Sequence, residues 1–358
     1  MSNKLLKVFD DQSRPRWISH DRKNTFPLGE GDPTLDNYPF KGGEPDWDRL
    51  REMYGDAVYI NNGTPLEWRE VVLTVPNADL ESNLDRFLGK ELILPSYKTD
   101  SFTIQAQRKG VVRCDDFLET GVYGFTKTDG STNLIIGTRG GSESVGQLII
   151  VPGGAVGYDD GIDAALIREA NEEAGIVWKD IDERYLMGAF RQMQDSCAPS
   201  NVFVYGIDLK DNVPGEEILE RHLRAMEVYH SVKALYEGND FEKELAARVI
   251  LKARGAIYQE ELPLDVMGGN KFPVDAWENQ RLELIANDPE VIMQRARDVI
   301  VDGDGLKHGM YAGLFVYFMS EFGQDYAEKL LELPGFRDNL DLRGVEWKNM
   351  MFLGLEML

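Results

Sequence analysis

The sequence predicts an α/β protein in which an α/β/α sandwich around a mixed sheet is flanked by an N-terminal α+β segment and a mostly helical C-terminal extension. Three observations carry that expectation. Between residues 118 and 255, short apolar runs of alternating pattern are punctuated by glycine and Asp-Gly turn signals. A glycine pair then leads from a buried strand into a charged amphipathic helix. And 358 residues exceed what one ordinary core organises, so two or three domains are expected. The expected divisions are 1–117, a mixed domain without assigned chemistry; 118–255, the sandwich; and 256–358, the helical extension.

Residues 1–117 are rich in turn formers early on ("PLGEGDPTLDNYPFKGGEPDWD", Pro27 to Asp48), with a helix expected near Asp46 and a strand over "EWREVVLTV". From Leu118, "GVYGFTK" and "NLIIGTR" read as a hairpin turned by Asp129-Gly130. "GQLIIVPGG" is a short buried strand running into glycines. Asp163 to Ala174 is helical, with Ala165, Leu166 and Ala170 on the apolar side and Gly175 as terminator. "RYLMGAFRQ" and "NVFVYGIDL" are two further strands joined by "MQDSCAPS". "AMEVYHSVKALYEG" reads as a strand and turn, and "DFEKELAARVILKARG" as a long amphipathic helix. Within the extension, "GMYAGLFVYFM" (Gly309 to Met319) is too short to cross a bilayer and reads as a buried helix, and the apolar C-terminal residues are expected to dock.

Composition excludes several classes. A 42% hydrophobic and 28% charged chain has the balance of a soluble globular protein. Cys114 and Cys197 are too few for a disulfide framework or a four-cysteine zinc site, and reduced cytosolic thiols are the economical reading. No apolar core follows the first positive charges, so a cytoplasmic location is expected. A net charge of −23 repels phosphate backbones, which disfavours nucleic acid as a partner; no membrane partner is expected, and a homo-oligomer is compatible with the sequence. His20, His222, His230 and His308 are scattered, leaving histidine-metal and histidine-triad chemistry unsupported. "GTRGGSESVGQ" lacks the P-loop lysine pattern and suits a hairpin connection.

The charged helix is the informative element. Glu169, Glu172 and Glu173 share one helical face, where like charges at these spacings destabilise a helix. Gly153 and Gly154 at a strand end allow close backbone approach and free a carbonyl. Carboxylates and a carbonyl are hard oxygen donors of the kind Mg²⁺ or Mn²⁺ takes.

These residues resemble the box of the Nudix hydrolase family, G-x5-E-x7-R-E-U-x-E-E-x-G-U with U a bulky aliphatic. Gly154, Arg168, Glu169, Glu172, Glu173, Gly175 and Ile176 stand at their places with every spacing kept. Asp160 stands where the first Glu is expected, and Ala170 where a bulkier aliphatic is usual. The resemblance covers roughly residues 118–255 and implies a Nudix-type sandwich.

It also implies a mechanism: water attack on phosphorus in a nucleoside diphosphate linked to another moiety. Gly153 (through its carbonyl), Glu169, Glu172 and Glu173 would bind Mg²⁺, with Mn²⁺ as a substitute, while Arg168 orients the glutamates and Asp160 supports them. The base is implied to be a box glutamate or one from a later loop, for which Glu216, Glu217 and Glu220 are candidates, Glu217 foremost. Arg139 and Arg191, with Gln192 beside it, are candidates for phosphate contacts; Trp178 is expected in the core.

ADP-ribose, or a related dinucleotide or nucleotide sugar, is the first substrate expected, since flanking domains suit a larger substrate. The alternatives are a Nudix-fold nucleotide sensor or scaffold without turnover, and an RNA cap hydrolase, which the acidic balance disfavours.

Overall fold

The protein is described by a computed structural model covering residues 4–7, 60–61, 64–65, 70–74, 93–100, 118–140, 145–156, 162–194, 197–260, 271–307, 309–342 and 350–352. The expected helix near Asp46 and the box residue Asp160 lie outside the described residues. The elements in chain order are β1 (Lys4–Lys7), β2 (Ile60–Asn61), β3 (Thr64–Pro65), β4 (Glu70–Thr74), β5 (Ile93–Asp100), β6 (Leu118–Thr128), β7 (Asn133–Arg139), β8 (Leu148–Ile150) and β9 (Gly153–Ala155). Then come α1 (Ile162–Ala174), β10 (Ile181–Gln194), β11 (Cys197–Leu209), α2 (Gly215–Leu235) and α3 (Asp240–Glu260). The chain continues through β12 (Asn279–Ala286), α4 (Pro289–Asp302), α5 (Met310–Glu321), α6 (Gln324–Leu331), α7 (Phe336–Leu342) and β13 (Met350–Phe352).

One mixed sheet runs through the structure. β6 pairs parallel with β11 and antiparallel with β4, β7 and β9, while β10 joins β11 antiparallel. Asp129 and Gly130, both at positive φ, turn the β6–β7 hairpin, as their residue types dictate. β7 continues into β8 through the glycine-containing connection, where the Arg139 N–H donates to Gln147 O.

Two cores lie on opposite faces of the sheet, and strand alternation sorts the residues between them. On one face, Leu134, Ile136, Val202 and Val204 meet the helices α4 to α7. On the other, Ile135, Phe203, Tyr205 and Ile207 meet Ala165, Leu166, Ala170 and Ala174 of α1. The result is a mixed α/β arrangement with helices on both faces of the sheet, and the helices of one face come from beyond residue 255. Residues Met310 to Met319 of α5 are buried across that face.

Three sequence expectations differ from the structure. "AMEVYHSVKALYEG" is helical through Leu235, forming the second half of α2 rather than a strand and turn. Buried Ala225, Met226 and Tyr229 recur at helical spacing against Ala247 and Leu251 of α3, and that packing decides the conformation. Residues 279–286, placed by the sequence in a helical extension, form β12, an antiparallel partner of β7. Trp178 is 41% exposed rather than in the core, with the Arg184 guanidinium 4.0 Å from its ring centroid. Within the apolar C-terminal stretch, Met350–Phe352 pair with β10 as β13.

Candidate active site

The site begins where β9 lies against β6. Their register puts Gly153 opposite Tyr123 and Gly154 opposite Val122. A Cβ on Gly153 would meet the Tyr123 ring at 2.7 Å, and one on Gly154 would displace the Glu169 carboxylate from its present place. The glycine pair therefore lets α1 lie down on β9 with Glu169 directly over the strand. Gly175, at φ 68°, ends the helix, its N–H donating to Asn171 O at 2.9 Å.

Arg168 clamps this arrangement. Its Nη1 donates to Glu169 Oε1 and to Glu172 Oε2, both at 2.8 Å, and its Nη2 donates to the Ala155 carbonyl at 3.0 Å. One guanidinium thus relieves the repulsion between two of the three glutamates and ties α1 to β9.

Glu173 is left out of that clamp. It is 1% exposed, and neither carboxylate oxygen has a hydrogen-bond partner. Burial, then the negative charges of Glu278 and Glu169, hold its carboxyl well above the usual carboxylate range; Arg139 and Lys307 act in the opposite sense. A buried carboxylate without donors is costly, so this position calls for positive charge.

Glu278 and Lys307 were not legible as site residues. Glu278 sits on a single 3₁₀ turn, Ala276–Glu278, immediately before β12, and accepts from Arg139 Nη1 at 2.5 Å. That turn is held against the box helix: the Asp275 N–H donates to Glu172 O at 2.7 Å. His222, fully buried on α2, places Nε2 3.2 Å from the Ala276 carbonyl and 3.1 Å from the Asn279 carbonyl. Two carbonyl acceptors require the proton on Nε2. Lys307 is pinned by its own N–H to Leu148 O at 2.9 Å, on the opposite side of β8 from β7. The signal that could have found Glu278 was the strand-like run "NQRLELIA" beside it; Lys307 carries none.

The later-loop glutamates go elsewhere. Glu217 accepts from Arg221 and from Lys271 Nζ at 3.3 Å, and the Arg221 contact leads in holding its carboxyl below the usual range. Arg221 also donates to Gly175 O at 2.7 Å and to Asp180 at 2.5 Å, so this cluster wraps the C-terminal end of α1. Glu220 pairs with Arg224 in solvent, and Glu216 is exposed. Arg191 lies on β10 opposite Asn201, but its side chain and that of Gln192 are outside the described residues.

The donor chemistry at Glu169, Glu172 and Glu173 suits a hard divalent cation. Among the described residues, however, no three His, Cys, Asp or Glu side chains converge as a ready-made metal cluster. Arg168 occupies the charge of two glutamates, and Glu173 alone stands unpaired.

No protein-family model matches the chain, and no curated protein matches it. Among solved structures, the crystal structure of the MutT protein from Methanosarcina mazei Go1 is similar over 26% of this chain and 63% of that chain, at 20% sequence identity and a TM-score of 0.21. The chain thus spans less than two thirds of that protein's length, and a likeness at this level adds nothing to the geometry above. Among the described residues no helix is long and apolar enough to cross a membrane.

Proposed function

We propose that this protein is a Mg²⁺-dependent hydrolase of the Nudix type that cleaves the diphosphate of a nucleoside diphosphate linked to another moiety, with ADP-ribose and related dinucleotides or nucleotide sugars as first substrates. The observation that carries this reading is Glu173: a buried carboxylate with two unpartnered oxygens, on the face that also presents Glu169, whose carboxylate lies against Gly154.

In this reading Glu169, Glu172, Glu173 and the Gly153 carbonyl hold the cation. Bound there, Mg²⁺, or Mn²⁺ in its place, supplies charge for the diphosphate oxygens and acidifies a water. Arg168 positions Glu169 and Glu172 through the contacts already described, and Asp160 supports the same group. Arg139, on exchanging its contact with Glu278, and Lys307 would face the phosphate oxygens, with Arg191 as a further candidate. The proton from water would go to a box glutamate, Glu278 being already engaged by Arg139. Glu217, held low by Arg221 and Lys271, is the weaker base.

A second reading, a nucleotide-binding module without turnover, draws on Arg168 occupying Glu169 and Glu172. One assay separates the two. The full chain is incubated with Mg²⁺ and ADP-ribose, NADH, diadenosine polyphosphates, nucleotide sugars and nucleoside triphosphates, and phosphorus products are counted. Turnover of a diphosphate-linked substrate supports the enzyme; binding without any turnover supports the module.

A further inference from the structure

We infer that Glu278 is a built-in stand-in for the substrate's phosphate: its carboxylate fills the anion subsite at Arg139, and an incoming phosphate oxyanion must displace it to bind. The inference rests on the reading that Arg139 meets the diphosphate, and concerns what occupies that contact beforehand.

Arg139 closes β7, and its main chain is fixed on both sides. The N–H donates to Gln147 O at 2.8 Å, and the carbonyl accepts from Gly146 N at 2.9 Å. The guanidinium can therefore change partner without moving the strand. Its partner is Glu278, at 2.5 Å, in a pair whose side chains are 12% and 22% exposed. A guanidinium takes carboxylate and phosphate oxygens with the same planar donors, so one anion can replace the other in place.

The turn that carries Glu278 is anchored independently of that ion pair. Glu278 O accepts from Gly140 N at 2.7 Å, the Asp275 N–H donates to Glu172 O, and His222 Nε2 faces the carbonyls of Ala276 and Asn279. The Arg248 guanidinium adds a contact from α3, 3.4 Å from the Trp277 ring centroid. A Cβ on Gly140 would stand 2.7 Å from Gln280 N, so strand end and turn are pressed together. None of these contacts needs the Glu278 carboxylate. It can leave Arg139 while the turn stays.

Electrostatics favours that exchange. Glu278 stands close enough to Glu169 and the buried Glu173 for the like charges to repel. On leaving Arg139, the partly exposed carboxylate turns from like charge towards water. The exchange also sets a requirement on the ligand. A singly charged oxyanion offers Arg139 no more than the carboxylate already there. A pyrophosphate carries several charges and can meet Arg139 and Lys307 together, Lys307 lying within electrostatic reach of the same carboxylates.

Calorimetric titration of inorganic pyrophosphate into the full chain, in chelator, tests this, with acetate as the singly charged comparison and far-UV circular dichroism as the control on folding. The wild type is expected to bind pyrophosphate weakly, and acetate more weakly still. Glu278→Gln keeps the shape and removes the charge, and is expected to bind pyrophosphate at least about tenfold more tightly. Glu278→Asp keeps the charge with a shorter reach, and its affinity falls between the two; it carries the test should Glu278→Gln fail to fold. Adding Arg139→Gln to Glu278→Gln removes the gain. Glu290→Gln, which deletes an exposed charge on α4, leaves the affinity of the wild type unchanged. Equal pyrophosphate affinity in the wild type and both Glu278 variants overturns the proposal. So does a gain that survives Arg139→Gln or is matched by Glu290→Gln, since pyrophosphate then answers to overall charge, and so does acetate binding as tight as that of pyrophosphate. Because the titration contains no divalent metal and reads no product, a chain that hydrolyses nothing can still meet the expectation, and a hydrolase can fail it.

Discussion

Glu169 occupies the space that a side chain on Gly154 would need, its carboxyl carbon 2.2 Å from where a Cβ would stand. The glycine is therefore a condition for the position of the carboxylate, more than for the strand. Gly154→Ala is expected to leave the sheet paired while pushing Glu169 off its place. Displacement of a catalytic group by about 1 Å costs on the order of 100-fold in rate. The check is turnover alongside circular dichroism, with turnover falling and the spectrum unchanged.

Glu173 gives a pH-dependent expectation. Its folded-state pKa is raised above the ordinary value of 4.5 by burial and by Glu278 and Glu169. Below that ordinary value the group is protonated in both states. As pH rises the unfolded chain ionises readily while the folded one resists, so the folded state loses stability until the raised value is passed. Glu173→Gln should therefore stabilise the protein at neutral pH without divalent cations, by about 1–3 kcal/mol. At pH 4 the gain should vanish. Thermal melts at the two pH values, in chelator, measure the difference.

His222 works in the opposite direction. Burial holds its imidazole below the ordinary value of 6.5, and its Nε2 proton serves two carbonyls. The stability that the neutral ring contributes is fully present above pH 6.5 and is lost as pH falls from there towards the depressed folded value. The melting temperature should drop over that window, and less so in His222→Gln. Because His222 holds the turn that carries Glu278, the same acidification should loosen that turn first, visible in amide exchange at residues 276–279.

Arg221 joins Asp180, Glu217 and the Gly175 carbonyl at the end of the box helix, almost wholly buried. Arg221→Met leaves the buried Asp180 with only the Val177 N–H, at 3.2 Å, and the half-exposed Lys271, 3.5 Å away. Breaking a buried pair on one side costs about 3–5 kcal/mol, so a clear fall in melting temperature is expected.

These residues show what the sequence could and could not convey. The glutamate face of α1 was legible because it is local: 3.6-residue periodicity places Glu169 and Glu173 one turn apart, and a glycine terminator closes the helix within the same stretch. The hairpin at Asp129-Gly130 was legible for the same reason. Glu278 and Lys307 were not, because they reach the site only through β12 pairing with β7 and through the Leu148–Lys307 contact, both spanning more than a hundred residues. The misreading of Ala225 to Leu235 as a strand has a related cause. Its apolar residues fit either period until α3 packs against them, and tertiary contact then decides.

The unpaired carboxylate of Glu173 is the centre of the account, and manganese binding addresses it without reliance on any substrate. Mn²⁺ is titrated into the wild-type chain and into Glu173→Gln, and free Mn²⁺ is followed by electron paramagnetic resonance. The account predicts saturable loss of the free-ion signal in the wild type and at least about tenfold weaker binding in the variant. Equal binding by the two proteins, or none by either, would contradict it.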